Sequence, residues 1–310
     1  MTVDLTTAVG AVAMPSPIVA ASGTAGHGAE LAAFGDLGAL GAVVVKSLSA
    51  DPWPGNPAPR VHGDASGAWM LNSVGLQGPG VSAWRSHDLP AMHRAGATIV
   101  ASIWGRSVDE YAKAASLLDG ADVAAVEVNL SCPNLDGGRH LFAQSPSDSA
   151  EVVRAVRDAL GEVPVWAKLT AACTSIVEIA GAVAGAGADA VVCINTLLGL
   201  AIDVDRRAFL LGSGPGGGGL SGPAIHPVAV RAVHDVRAAL PELPVVGVGG
   251  VARGVDAVEL LLAGASAVGV GTATFADPRA CWRVGAEVQG WCADHGVGAV
   301  AELIGAVHGR

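Results

Sequence analysis

The chain has 310 residues, 51% of them hydrophobic and 15% charged, a balance that supplies a large core and excludes intrinsic disorder. Its 18 Lys and Arg against 28 Asp and Glu leave a net charge of −10. An acidic surface repels phosphate backbones, so no nucleic-acid partner is expected. The cysteines (Cys132, Cys173, Cys193, Cys281 and Cys292) show no CxxC or Cys/His spacing, which argues against a disulfide framework, a structural zinc or any other resident metal.

Residues 9–26 carry little charge, but Pro15 and Pro17 interrupt them and no basic leader precedes them. Neither a signal peptide nor a membrane helix is expected there. The apolar stretch 190–202 is too short to span a bilayer and holds Asn195. The expectation is a soluble, cytoplasmic protein with no membrane contact.

Short apolar runs recur at 17–19, 41–45, 97–100, 124–128, 164–166, 188–192, 244–246 and 265–269. Nearly continuous burial of such runs implies strands covered on both faces, hence a parallel sheet. Helical patterns lie between most of them. One covers 107–118 and opens with a capping box, Ser107 with Glu110; the others cover 149–160, 175–184, 228–240 and 256–263. Pro227 stands where a first helical turn tolerates proline. Eight alternating units favour a closed (β/α)₈ barrel over an open sheet, and no linker divides the chain, so residues 1–310 read as one domain. The connections 51–89 and 198–227 are longer than ordinary; both follow carboxyl ends of strands, where substrate loops or lids are expected. Flexible surface insertion is the alternative.

Polar residues close the strands. Lys46 ends the second, Asn129 the fourth, Lys168 the fifth and Asn195-Thr196 the sixth, while Gly249-Gly250 and Gly271-Thr272 end the last two. In a barrel all of these face one mouth. Glycine pairs let backbone N–H groups approach an anion closely, so the last two turns suggest a phosphate site. Cys132, in Asn129-Leu130-Ser131-Cys132-Pro133-Asn134, lies in a polar loop at that mouth, where a thiolate can act as a general base. A Cys132/His140 nucleophile pair is the rival reading, although no third group orients it. The other four cysteines read as inert packing. Glu127 faces either the barrel interior or the helix layer, and Asp203 and Asp205 read as solvated. No HExxH, Walker A or GxSxG motif appears, and residues 247–252 match a dinucleotide fingerprint only in part.

Four stretches carry a family resemblance: Met70-Leu71-Asn72-Ser73-Val74-Gly75-Leu76-Gln77, the Asn129-to-Asn134 segment, Ile194-Asn195-Thr196-Leu197 and Gly219-Leu220-Ser221-Gly222-Pro223-Ala224-Ile225. Together they resemble class 1 dihydroorotate dehydrogenases, from Ala21-Ser22-Gly23-Thr24 to Gly271-Thr272. Leu76-Gln77-Gly78-Pro79-Gly80 looks like the substrate loop of the NAD-linked class 1B catalytic subunits.

The resemblance implies an FMN-binding (β/α)₈ barrel that oxidises (S)-dihydroorotate to orotate in pyrimidine (UMP) synthesis, passing hydride to FMN. Cys132 matches the family's catalytic base. Lys46, Asn72, Ser73, Val74, Gly75, Leu76, Asn129, Asn195 and Thr196 match its substrate contacts. Ser22, Lys46, Ser47, Ser102, Asn129, Lys168, Ile194, Gly222, Gly249, Gly250, Gly271 and Thr272 match its FMN contacts. Lys168 then supplies the cation that stabilises charge on the reduced ring. Membership of class 1B further implies a homodimer working with a separate electron-transfer subunit that carries FAD and a 2Fe–2S cluster. The chain departs from the pattern at Ser102, where asparagine is common, and at Ala171-Ala172-Cys173, which replaces a more polar sequence. Two other functions fit the same residues: an FMN-dependent dihydropyrimidine dehydrogenase-like oxidoreductase, and a Schiff-base lyase or aldolase using Lys168 or Lys46.

Overall fold

In the computed structural model, which describes residues 2–131 and 142–309, the chain opens on a hairpin. Strand β1 (Thr7–Val9) pairs antiparallel with β2 (Val12–Met14), and Gly10 at φ 58° supplies the left-handed turn residue between them. Next come β3 (Ile18–Ala20) and β4 (Ala42–Val44), then β5 (Val61–Gly63), β6 (Met70–Asn72), α1 (Val81–His87) and α2 (Leu89–Arg94). Strands and helices then alternate: β7 (Ile99–Ile103), α3 (Val108–Ser116), β8 (Ala125–Asn129), α4 (Pro146–Leu160), β9 (Val165–Leu169), α5 (Ile176–Gly185) and β10 (Ala190–Cys193). A second insertion holds β11 (Leu197–Gly199), β12 (Ile202–Asp203), β13 (Ala208–Phe209) and β14 (Gly218–Ser221). The chain ends through α6 (His226–Ala239), β15 (Val245–Val248), α7 (Gly254–Ala263), β16 (Ala267–Val270), α8 (Ala273–Ala276) and α9 (Ala280–Asp294).

Strands β3, β4, β7, β8, β9, β10, β15 and β16 close in chain order into one parallel barrel. This is the (β/α)₈ architecture expected from the recurring apolar runs. Alternate residues of each strand point to opposite faces. One set packs under the helices (Ile18, Val43, Ile99, Val126 and Val165 among them), and the other fills the barrel interior. Val9, Val12 and Met14 of the opening hairpin plug that interior, against Val19, Val44, Val100, Trp166, Val192 and Val246. The lower half of the barrel is therefore apolar.

Helices α3, α4 and α5 each start at a serine cap. Ser107 accepts from the Glu110 amide at 3.2 Å, as the sequence suggests, but the Glu110 carboxylate turns back one residue further, to the Arg106 amide at 2.7 Å. Helix α4 begins at Pro146 rather than at residue 149, because Ser145 caps it and proline suits its first position. Helix α9, absent from the sequence reading, buries Cys281, Val284, Val288 and Cys292 at helical spacing, while Gly285 and Gly290 dilute its helical signal.

The two long connections are ordered together. Strands β11, β14, β6 and β5 form one antiparallel sheet, so the insertion after the second barrel strand pairs with the one after the sixth. The glycine run in 216–219 is what permits this. A Cβ on Gly218 would stand 2.5 Å from the Asn72 carbonyl, and one on Gly219 would overlap Thr196. No helix of the described residues is long and apolar enough to cross a membrane.

Candidate active site

At the carboxyl ends of the barrel strands lies a cavity of about 540 Å³. Its walls include Ser22, Lys46, Ser47, Asn72, Val74, Gly75, Leu76, Asn129, Lys168, Ile194, Asn195, Thr196, Gly222, Gly249, Gly250, Gly271 and Thr272. The residues picked out from strand ends and loop motifs thus converge on one space. Three others stand apart. Ser73 is fully buried outside the cavity lining, its amide bonded to the Arg60 carbonyl at 2.7 Å. Ser102 lies beneath the floor. Cys132, like His140, is outside the described residues.

Register explains the floor. In β8 and β9 the inward set runs Ala125, Glu127, Asn129 and Trp166, Lys168, with apolar residues low and polar ones at the mouth. Glu127, ambiguous in the sequence, faces the barrel interior. Its carboxylate Oε1 lies 3.8 Å from Lys168 Nζ, with the two residues only 2% and 6% exposed. Ser102 Oγ donates to the same Oε1 at 2.8 Å.

A chain of hydrogen bonds leads to that carboxylate. Asn195 Nδ2 donates to Asn129 Oδ1 at 3.2 Å, and Asn129 Nδ2 donates to Ser47 Oγ at 3.0 Å. Ser47 Oγ is 2.9 Å from Ser102 Oγ. Since Ser102 spends its proton on Glu127, Ser47 donates to Ser102, and every link points the same way. Such chains polarise one another and fix the orientation of each amide. Ser131, which the sequence reading did not single out, adds a brace: its Oγ accepts from Asn195 Nδ2 at 3.0 Å and donates to the Lys168 carbonyl at 3.1 Å. Tyr111 of α3 donates to the Asn129 carbonyl at 2.6 Å, tying the helix layer to the end of β8.

The loop after β6 is held in an unusual backbone conformation, with Gly75 at φ 70° and Leu76 at φ 59°. A left-handed leucine is uncommon outside constrained sites, and this one places its side chain at the cavity wall. His27 is a further neighbour missed in the sequence. Burial, then the charge of Lys46, pushes its imidazole below the ordinary value of 6.5. Its Nε2 is buried with no hydrogen-bond partner among the described residues. The thiols of Cys193 and Cys281 are pushed up to about 12 by burial, which agrees with packing roles. Cys173 is half-buried and donates to the Thr170 carbonyl at 3.2 Å.

The opposite end of the cavity fits a phosphate. Gly249 (φ 144°), Gly250 (φ 70°) and Gly222 (φ 90°) adopt conformations that side chains resist. A Cβ on Gly249 would sit 2.6 Å from Ala229 Cβ, and one on Gly250 2.5 Å from His226 Cβ. Gly250 and Thr272 both line the cavity, where backbone N–H groups can approach an anion closely. Amide and hydroxyl groups along its floor and glycine turns in its wall suit a ligand that carries both amide edges and an anion.

Comparison with known proteins agrees with this geometry. The dihydroorotate dehydrogenase family matches residues 4–291. The protein of Desulforudis audaxviator named dihydroorotate dehydrogenase B (NAD(+)), catalytic subunit, is 46% identical over 309 residues, 99% of both chains. Those of the same name from Geobacter sp. (strain M21) and Geobacter sulfurreducens are 44% and 43% identical over 305 residues, 98% of each chain. The chain belongs to the dihydroorotate dehydrogenase family, within the class 1B branch of catalytic subunits.

Proposed function

We propose that this chain is the FMN-dependent catalytic subunit of an NAD-linked dihydroorotate dehydrogenase, oxidising (S)-dihydroorotate to orotate in pyrimidine synthesis. The observation that carries the reading is the convergence of Lys46, Lys168, Asn72, Asn129 and Asn195 on a cavity whose far end is a glycine-lined anion cradle.

FMN, when bound, supplies the hydride acceptor; the chain does the rest. Gly249, Gly250, Gly271 and Thr272 would hold the phosphate through backbone N–H groups, while Ser22, Ser47, Lys168, Ile194 and Gly222 would line the ring. Asn72, Asn129 and Asn195 carry amides that suit the amide edges of a pyrimidine, Asn195 through its Oδ1 because its Nδ2 is bound to Asn129 and Ser131, with Thr196 and the 73–76 loop shaping the pocket. Lys46 would offset the substrate carboxylate. Cys132 is the proposed general base that removes the C5 proton. The Asn195–Asn129–Ser47–Ser102 chain holds the amides in one orientation before substrate arrives, so little reorganisation is left for the reaction.

The relatives are named as NAD(+)-linked catalytic subunits, which supports a separate electron-transfer subunit; we infer from class 1B membership a homodimeric cytoplasmic chain whose partner carries FAD and a 2Fe–2S cluster. The test is purification with and without such a subunit, followed by a substrate and acceptor screen. Yellow protein that oxidises dihydroorotate, and reaches NAD only with the second subunit, supports the reading. Preference for dihydrouracil points to the dihydropyrimidine dehydrogenase-like alternative. Colourless protein that yields a borohydride-trapped lysine adduct points to the Schiff-base lyase.

A further inference from the structure

We propose that Glu127 is a positioning residue that sets the charge Lys168 presents to the flavin cavity, and so sets the reduction potential of the bound FMN. The inference rests on the functional reading above but concerns a residue that reading does not use.

Three observations carry it. Glu127 is the only ion-pair partner of Lys168 among the described residues, at 3.8 Å, and both groups are almost wholly shielded from water. The carboxylate is also held by a second group, because Ser102 Oγ donates to the same oxygen at 2.8 Å. Beneath the pair the barrel is apolar, with Val19, Val44, Trp166, Val192 and Val246 around a cavity of about 10 Å³. A carboxylate so placed acts at low dielectric, where its field is weakly screened and reaches the floor of the larger cavity. Lys168 lines both spaces, the small one that it shares with Glu127 and the larger ligand cavity.

Reducing a flavin adds negative charge to the ring. A lysine that faces it alone favours the reduced form, and one partly neutralised by a carboxylate favours it less. The three-residue arrangement Ser102–Glu127–Lys168 therefore lowers the potential relative to an unpaired lysine and anchors the ammonium at one height. Such tuning matters for a chain that hands electrons onward, because an over-stabilised reduced flavin releases them poorly.

The test is the midpoint potential of bound FMN, measured against reference dyes in the FMN-loaded protein, for wild type and Glu127→Gln. Glutamine keeps the volume and can still accept from Ser102 but removes the anion. The ratio of reduced to oxidised flavin at fixed potential is expected to rise about tenfold, ~30 mV for a two-electron couple. An unchanged or lower midpoint in Glu127→Gln, with wild type binding FMN, overturns this inference alone. Wild type that takes up no FMN overturns the functional reading, and this inference with it. If Glu127→Gln does not accumulate because it leaves a buried ammonium unpaired, Glu127→Asp replaces it, keeping the anion but drawing it back from Lys168. Its midpoint is then expected to lie above that of wild type; an unchanged or lower one overturns the proposal.

Discussion

Asn72 of β6 and Gly219 of β14 stand opposite each other in an antiparallel ladder, and Asn72 Nδ2 donates to the Gly219 carbonyl at 3.4 Å. The two residues come from different insertions, so this pairing is what sets Asn72 at the mouth. The close approach depends on the missing side chain of Gly219, whose Cβ would also meet Thr196 Cβ at 2.8 Å. Gly219→Ala is therefore expected to push β14 away from Thr196 and loosen the loop. The variant should lose about 1–3 kcal/mol of stability and show a raised KM for dihydroorotate with FMN still bound. Thermal melts and steady-state kinetics check this.

His27 predicts a pH dependence. Its folded-state value lies below the ordinary 6.5, so between the two values the unfolded chain binds more protons and stability rises with pH. Acidification through that window should destabilise wild type more than His27→Asn, with the two curves running parallel above it. Melting temperatures from about pH 7 to about pH 5 decide the matter; equal slopes for both proteins would remove His27 from the acid response.

Gly250 predicts a cofactor phenotype. At φ 70°, with His226 Cβ only 2.5 Å from where its own Cβ would stand, alanine can be accommodated only by moving the turn. Gly250→Ala should fold, since the barrel core is untouched, but retain FMN at least tenfold more weakly, as read by fluorescence on dilution. Equal retention would place the phosphate elsewhere.

Buried thiols predict selective alkylation. With values pushed up to about 12, Cys193 and Cys281 have roughly one thiol in 10⁴ ionised at about pH 8. Mass spectrometry of native protein after brief iodoacetamide treatment should find both unmodified, and both modified after denaturation. Labelling of either in the native state would contradict their burial.

The barrel was legible because its strands are continuous apolar runs, a pattern that only double-sided burial requires. Its mouth was legible because lysine and asparagine at strand ends have no place in a core. The pairing of the two insertions was not. Strand β5 is short and mostly exposed and β14 is half glycine, so neither shows alternation. Glu127 is the instructive case. All of β8 is buried, so burial alone does not say which residues face inward. Asn129 was already placed at the mouth, and a residue two positions earlier shares its face; that signal was present and points to the interior. Its pairing with Lys168 and Ser102 requires the register between β7, β8 and β9, which no local pattern carries.

The central claim is that this cavity holds FMN against dihydroorotate with Cys132 as the base. Anaerobic addition of dihydroorotate to wild type and Cys132→Ala, followed through the visible flavin band, tests it most directly. Both proteins should be yellow and both should bind orotate, but only wild type should bleach rapidly at neutral pH. A Cys132→Ala protein that bleaches as fast as wild type, or a wild type whose flavin is untouched by dihydroorotate, would contradict the account.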